Sequence, residues 1–166
     1  MLFLLQLVAT LSTGLFSGAA LYINSVEHPS KILCGNFIAV TEFGPSYKRA
    51  AVIQASLAVL GSLSGIIVWL LSWGITWLLG GLLLGAVIPF TFIVIFPFNG
   101  KLLDTSLDKN SEFASELLSR WAKLDAVRSF RSPIAFMIFI VSLILAIWNT
   151  YSYTAIPILK CSIHSM

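Results

Sequence analysis

The chain has 166 residues, of which 58% are hydrophobic and only 10% are charged, and its formal net charge is +3. This length suits one compact domain. Because a soluble domain usually carries about 25% charged residues, a surface with so few charges could not be wetted on all sides. The basic residues lie beside apolar segments, so the sequence favours a membrane protein and predicts no nucleic-acid partner.

Four apolar runs without Asp, Glu, Lys or Arg follow one another, each close to the roughly 20 residues that cross a hydrocarbon core. They cover about 2–23, 50–71, 75–96 and 133–152. The first run lacks the basic start of a cleaved signal peptide and is longer than one, so we expect it to be retained. Only residues 72–74 separate the second run from the third, which predicts a tight antiparallel hairpin. Ser132-Pro133 predicts a helix start at the fourth run.

A helical pattern also occurs between the third and fourth runs, over about residues 111–130. Phe113, Leu117, Trp121 and Leu124 recur at helical spacing, and charged residues face away from them. Such an amphipathic helix either lies on the membrane interface or caps the mouth of a bundle. The sequence therefore predicts an all-α fold: a four-transmembrane-helix bundle with an additional amphipathic helix between helices 3 and 4, forming a single membrane domain over residues 1–166.

Each of the first three runs contains two glycines spaced four residues apart. Small residues at this spacing let helix backbones approach closely inside a membrane, where lipid supplies no hydrophobic drive for association. The pattern predicts tight packing, either within one chain or between copies in a homo-oligomer. The pairs are Gly14/Gly18, Gly61/Gly65 and Gly81/Gly85.

The basic residues predict the orientation of the chain in the bilayer. Nine of the ten Lys and Arg residues lie in the predicted loops 24–49 and 97–132, and only Lys160 lies on the opposite side. The positive-inside rule places the nine in the cytoplasm, which leaves both termini outside. Four of the five tryptophans fall near the outer interface, as an aromatic belt would, and Trp121 lies elsewhere.

Polar residues that could carry chemistry gather at the predicted cytoplasmic end of the bundle. Polar groups near the hydrocarbon boundary are costly unless they are paired or functional, so this gathering indicates a small-molecule pocket. The residues come from four separate segments and are Glu27, His28, Tyr47, Gln54, Asn99, Trp121, Asp125 and Arg128.

A purely structural role is an alternative for every one of these residues. His28 can sit at the level of the lipid headgroups, and Glu27 can be a solvated charge. Asp125 and Arg128 can form an ion pair on a helix surface, and Gln54 can make a helix–helix hydrogen bond. Turn formation and interface packing are the corresponding alternatives for Asn99, Tyr47 and Trp121.

The histidines and cysteines predict no metal site. Cys34 and Cys161 form no C-x-x-C motif, and no second His or Cys lies near His28 in the sequence. No phosphate-binding glycine motif occurs either. The remaining chemistry is acid–base work on a substrate that reacts by itself once deprotonated.

The order of these residues resembles the anthrone oxygenase-like membrane proteins, a family of mostly unassigned reactions. The resemblance covers most of the chain, and its motifs are short. The chain departs from the usual family pattern at Phe98, where a threonine is common, so we expect no hydroxyl-dependent role there. The matching positions are Gly18, Tyr22-x-Asn24-x-x-Glu27-His28-Pro29, Tyr47-x-Arg49, Gln54, Pro89-x-Thr91, Pro97-x-Asn99-x-x-Leu102 and Trp121-x-x-Leu124-x-x-Val127-Arg128.

The resemblance implies a reaction and roles for the site residues. Some fungal members are similar to enzymes that convert an anthrone into an anthraquinone with O2 and no evident cofactor. The implied partners are thus the lipid bilayer, O2 and a small hydrophobic aromatic substrate. The implied catalytic residues are a base, His28 or Glu27, and Arg128, which together with Asn99 would stabilise the anionic oxygen. The implied substrate-binding residues are Tyr47, Gln54, Asn99, Trp121 and Asp125.

Two other functions remain open at the level of sequence. A non-enzymatic structural or interaction protein is favoured by the acceptable structural role of each candidate residue. A small multidrug transporter is less favoured, because such carriers need an ionisable residue within the membrane and none of the four runs has one.

The predicted orientation can be checked by cysteine labelling of two single-cysteine variants in sealed membranes. We expect an impermeant thiol reagent applied from outside to label a variant that retains Cys161. A variant that retains only Cys34 should react after the cytoplasmic side is opened. The opposite pattern would show that the orientation is inverted.

Overall fold

The computed structural model describes the backbone of residues 1–164 and the side chains of residues 1–152. The side chains of Lys160 and Cys161, on which the topology prediction draws, lie outside the described residues. All regular elements of the described backbone are helical. In chain order they are α1 (Leu2–Tyr22), a π-helical turn (Ile23–Glu27), α2 (His28–Leu33), α3 (Asn36–Ser72), α4 (Ile75–Gly85), α5 (Val87–Phe90), a second π-helical turn (Thr91–Ile95), α6 (Phe96–Leu102) and α7 (Glu112–His164).

These elements combine into four helical segments that are long and apolar enough to cross a membrane. Only Trp73 and Gly74 separate the second segment from the third, as the sequence predicts. The predicted all-α fold with four transmembrane helices is therefore confirmed. The segments are span 1 (Leu2–Leu33), span 2 (Asn36–Ser72), span 3 (Ile75–Leu102) and span 4 (Glu112–Ser152).

The segment at residues 24–49, expected to be a loop, is almost entirely helical. Span 1 continues through its π-helical turn to Leu33, and span 2 begins at Asn36. The two meet at Gly35, whose φ of 98° is rarely adopted by residues with a side chain. The apolar run marks only the stretch suited to lipid, whereas Ala39 and Phe43 extend the helix by packing against other parts of the protein.

The helix start predicted at Ser132-Pro133 is wrong, because α7 runs without a break from Glu112 through span 4. A proline inside a helix lacks the N–H that would bond the carbonyl four residues earlier, here that of Ser129. The Ser132 hydroxyl donates a hydrogen bond to this carbonyl at 3.4 Å. The serine read as a helix cap thus partners the carbonyl that the proline leaves free.

The first part of α7 caps the bundle. Leu117, Leu118 and Trp121 are buried against Phe43 and other apolar side chains of spans 2 and 3. The prediction that Phe113 belongs to this apolar face is wrong, since Phe113 is 55% exposed. The buried face is centred near Ala114, about 100° around the helix from residue 113.

The aromatic belt is smaller than predicted. Trp73 and Trp148 are largely exposed. Trp77 is instead buried against Phe139, with ring centroids 5.3 Å apart, and belongs to the core between spans 3 and 4.

Spans 2 and 3 pack closely through glycines. A Cβ atom on Gly61 would lie 2.7 Å from Leu84 Cδ2, and one on Gly81 would lie 3.1 Å from the carbonyl oxygen of Ser62. These contacts are within one chain. In the glycine pair of span 1, a Cβ on Gly14 would lie 2.7 Å from Phe136 Cε2 of span 4, whereas one on Gly18 would meet nothing within 4 Å.

Replacing Gly81 with isoleucine should lower the thermal unfolding temperature in detergent. The added side chain meets backbone atoms of span 2, and overpacking of this kind costs about 1–3 kcal/mol or more. Gly18→Ile is the matched control, and we expect it to unfold near the wild-type temperature. Equal losses in both variants would indicate that helix disruption, rather than close packing of spans 2 and 3, sets the effect.

Candidate functional site

A cavity of about 340 Å³ lies beneath the α7 cap, between the polar ends of spans 1, 2 and 3. Asn99, the one predicted site residue that does not line it, is buried behind Trp121 and accepts a hydrogen bond from Trp121 Nε1 at 2.8 Å. The structure thus brings the predicted residues together from four segments. Those that line the cavity are Glu27, His28, Tyr47, Gln54, Trp121, Asp125 and Arg128.

Asp125 and Arg128 form an ion pair at the cavity wall. Arg128 Nη2 lies 2.6 Å from Asp125 Oδ1, and the two side chains are only 11% and 1% exposed respectively. The ion pair suggested by the i, i+3 spacing is therefore present, but it is buried rather than on a helix surface. A buried carboxylate is costly unless its second oxygen is also engaged.

Asn24 provides that engagement and was absent from the predicted site residues. Its Nδ2 donates hydrogen bonds of 2.6 Å to Asp125 Oδ2 and to Ser129 Oγ. Asn24 lies in the π-helical turn of span 1, a wide turn that often occurs at functional sites. The Tyr22-x-Asn24 element of the family resemblance was the available signal for it.

Glu27 and His28 are adjacent, but their side chains differ in their hydrogen-bond partners. Glu27 Oε1 accepts hydrogen bonds of 2.5 Å from Lys31 Nζ and from Ser46 Oγ. The half-buried His28 ring makes no hydrogen bond to any described residue, and its centroid lies 5.7 Å from that of Trp121. The carboxylate is therefore already partnered, whereas the imidazole is available to a ligand.

Aromatic rings form one wall of the cavity. Phe43 packs edge-on against Trp121 at a centroid distance of 5.2 Å and parallel to Tyr47 at 5.5 Å. The hydrogen bond from Trp121 to Asn99 fixes the indole plane. Such a wall can hold a flat aromatic molecule by stacking or edge contacts.

Two N–H donors on other side chains that line the cavity have no hydrogen-bond partner among the described residues. They are Gln54 Nε2 and Arg128 Nε, and both atoms are buried. A buried donor without an acceptor costs about 1–3 kcal/mol. Both side chains line the cavity, so an oxygen atom of a bound molecule could satisfy them.

The other residues singled out in the sequence lie outside this arrangement. Arg49 is exposed. Phe98 is partly buried and packs against the apolar cluster that contains Trp121. Among the described residues, no group of three or more His, Cys, Asp or Glu side chains gathers where a metal ion could be held.

Comparison with known families assigns the chain. The model of a family described as anthrone oxygenase matches residues 43–138, more than half of the 166 residues. The matched range contains every predicted site residue except Glu27 and His28. No curated protein and no solved structure matches the chain. The family match confirms the resemblance read from the sequence: this chain belongs to the anthrone oxygenase family.

Proposed function

We propose that this protein is a multi-pass membrane oxygenase that oxidises a flat, hydrophobic, anthrone-like substrate with O2 in the cavity beneath α7. The observation that carries this proposal is the combination of an unbonded imidazole with two unpaired buried N–H donors around one apolar space. Its volume of about 340 Å³ lies within the usual range for small-molecule sites. Membership of the family supports the class of substrate and reaction.

His28 is the base in this scheme. A general base must be able to reach the proton that it removes. The ring of His28 lines the cavity and makes no hydrogen bond to a described residue. Glu27 is less suited, because Lys31 and Ser46 already donate hydrogen bonds to its carboxylate.

Arg128 and Gln54 stabilise the anion that deprotonation creates. Removing a proton from the CH2 group of an anthrone places negative charge on its carbonyl oxygen. Preorganised N–H donors that point at such an oxygen lower the barrier strongly in a site that excludes water. Arg128 Nε and Gln54 Nε2 are the free donors in the wall. Asn99 acts through Trp121, which it holds in place, rather than on the substrate.

The reaction balances without an added reductant. The carbanion transfers electrons to O2, and a C–O bond forms at the deprotonated carbon to give a peroxide. Loss of the second proton from that carbon breaks the O–O bond. One oxygen atom becomes the new carbonyl of the anthraquinone and the other leaves as water.

The charge distribution supports a cytoplasmic position for the cavity. The cavity lies at the end of the bundle that carries nine of the ten basic residues, which the positive-inside rule assigns to the cytoplasm. We therefore place the reaction at the cytoplasmic end of the bundle.

The first test is oxygen consumption by purified protein supplied with 1,8-dihydroxyanthrone, after subtraction of the protein-free rate. We expect uptake by the wild type and a loss of roughly 10²–10⁴-fold in kcat for His28→Gln, the usual contribution of a general base. His28→Gln should still bind 1,8-dihydroxyanthraquinone. If the wild type consumes no oxygen above the protein-free rate, the enzymatic proposal is wrong, and a structural or interaction role takes its place.

The second test compares two arginines on the same helix. Arg128→Lys keeps the charge beside Asp125 but removes the Nε donor, and we expect kcat to fall by roughly 10²–10³-fold, as for loss of one anion-stabilising donor. Arg120 is 62% exposed and paired with Glu116, so Arg120→Lys should leave kcat unchanged. Equal kcat values in the two variants, at equal thermal stability, would remove Arg128 from the catalytic scheme.

A further inference from the structure

The residues that line the cavity differ greatly in exposure. Most are buried or half-buried, but Val52, Phe92 and Phe96 are 69%, 65% and 56% exposed. Ala55 lines the cavity and is exposed as well. A side chain that lines a cavity and also faces outward marks an opening. Val52 and Ala55 belong to span 2, whereas the two phenylalanines belong to span 3, so this opening lies between those spans.

The packing of spans 2 and 3 explains why they separate there. They are closely packed from the hairpin as far as Gly85, where an added Cβ would lie 2.6 Å from Ser62 Oγ. Beyond Gly85, span 3 continues as α5, the π-helical turn and α6, which contact span 2 only sparsely. Pro89 within this stretch has no N–H to donate to the helix. The regular helical contact therefore stops where the opening begins.

The opening is apolar and lies within the lipid-facing part of the chain. Val52, Ala55 and Phe92 all belong to the uncharged runs that are suited to the hydrocarbon core. The charged groups that line the cavity belong to span 1 and α7, and not to the two spans that border the opening. A molecule that enters here comes from the bilayer and reaches the polar groups last.

We propose that the substrate enters the cavity sideways from the bilayer, through the opening between spans 2 and 3, and that the product leaves by the same route. The inference rests on the proposed function for the class of ligand, a flat hydrophobic aromatic molecule. Such a molecule concentrates in the bilayer, because the hydrophobic effect drives it out of water. Lateral entry lets it reach the base and the anion-binding donors without crossing an aqueous phase.

The test narrows the opening without touching the polar site. Ala55→Phe places a ring in the opening, and Ser56→Phe places the same ring on an exposed position that does not line the cavity. Both variants are reconstituted in phosphatidylcholine vesicles. Stopped-flow quenching of tryptophan fluorescence gives the association and dissociation rates of 1,8-dihydroxyanthraquinone. A Trp121→Phe variant gives the fluorescence of the other four tryptophans, which is the background for the quenching of Trp121.

A narrowed opening raises the free-energy barrier for entry of the ligand and the barrier for its exit by the same amount. We therefore expect Ala55→Phe to slow association and dissociation together, by about tenfold or more, with Kd unchanged, since only the path and not the bound state is altered. Ser56→Phe should keep wild-type rates. Unchanged rates in Ala55→Phe, or a change confined to dissociation, would overturn lateral entry while leaving the oxygenase proposal standing. If the wild type does not bind the anthraquinone at all, the substrate class itself is wrong.

Discussion

Hydrocarbon offers no hydrogen-bond partner, and this constraint shapes the whole molecule. Backbone N–H and C=O groups form their hydrogen bonds within long helices, because an irregular loop or an open sheet edge would leave such groups unpaired in lipid. Hydroxyl groups inside the spans follow the same rule, and Thr10, Thr13 and Ser142 each donate to the carbonyl one turn earlier. Side chains with larger polar demands gather at one end of the bundle, where other segments can partner them.

The buried ion pair shows how far this partnering goes. Asp125 and Arg128 are held against each other, and Asn24 ties the carboxylate to span 1. The same network leaves Arg128 Nε without an acceptor among the residues that the structure describes. A protein selected for stability alone would gain by pairing that donor or removing the charges. The arrangement therefore combines a fixed position for the guanidinium with one unused donor in a side chain that lines the cavity, as expected of a preorganised binding group.

Much of the architecture was predictable because it depends on composition. Uncharged runs of about 20 residues and the short link at Trp73 specify four spans and a hairpin. The site residues were predictable because topology alone carries polar groups from distant segments to one end. Positions that depend on contacts between distant parts of the chain could not be predicted in this way. Trp77 is of a residue type that is common at membrane interfaces, but Phe139 packs against it in the core. The role of Asn24 depends on a partner 101 residues away, and no local pattern specifies such a pair.

The unbroken course of α7 has a mechanical consequence. From Glu112 to Ser152 it has 41 residues, roughly 60 Å at 1.5 Å per residue and twice the hydrocarbon core of about 30 Å. Trp121, Asp125 and Arg128 thus lie in the first part of α7, which is continuous with the part suited to cross the lipid. A helix adjusts to a thinner or thicker bilayer by tilting, and a tilt of α7 moves the roof of the cavity with it. A change in bilayer thickness, and therefore in the length and saturation of the surrounding acyl chains, would thereby alter the spacing of the groups that line the cavity.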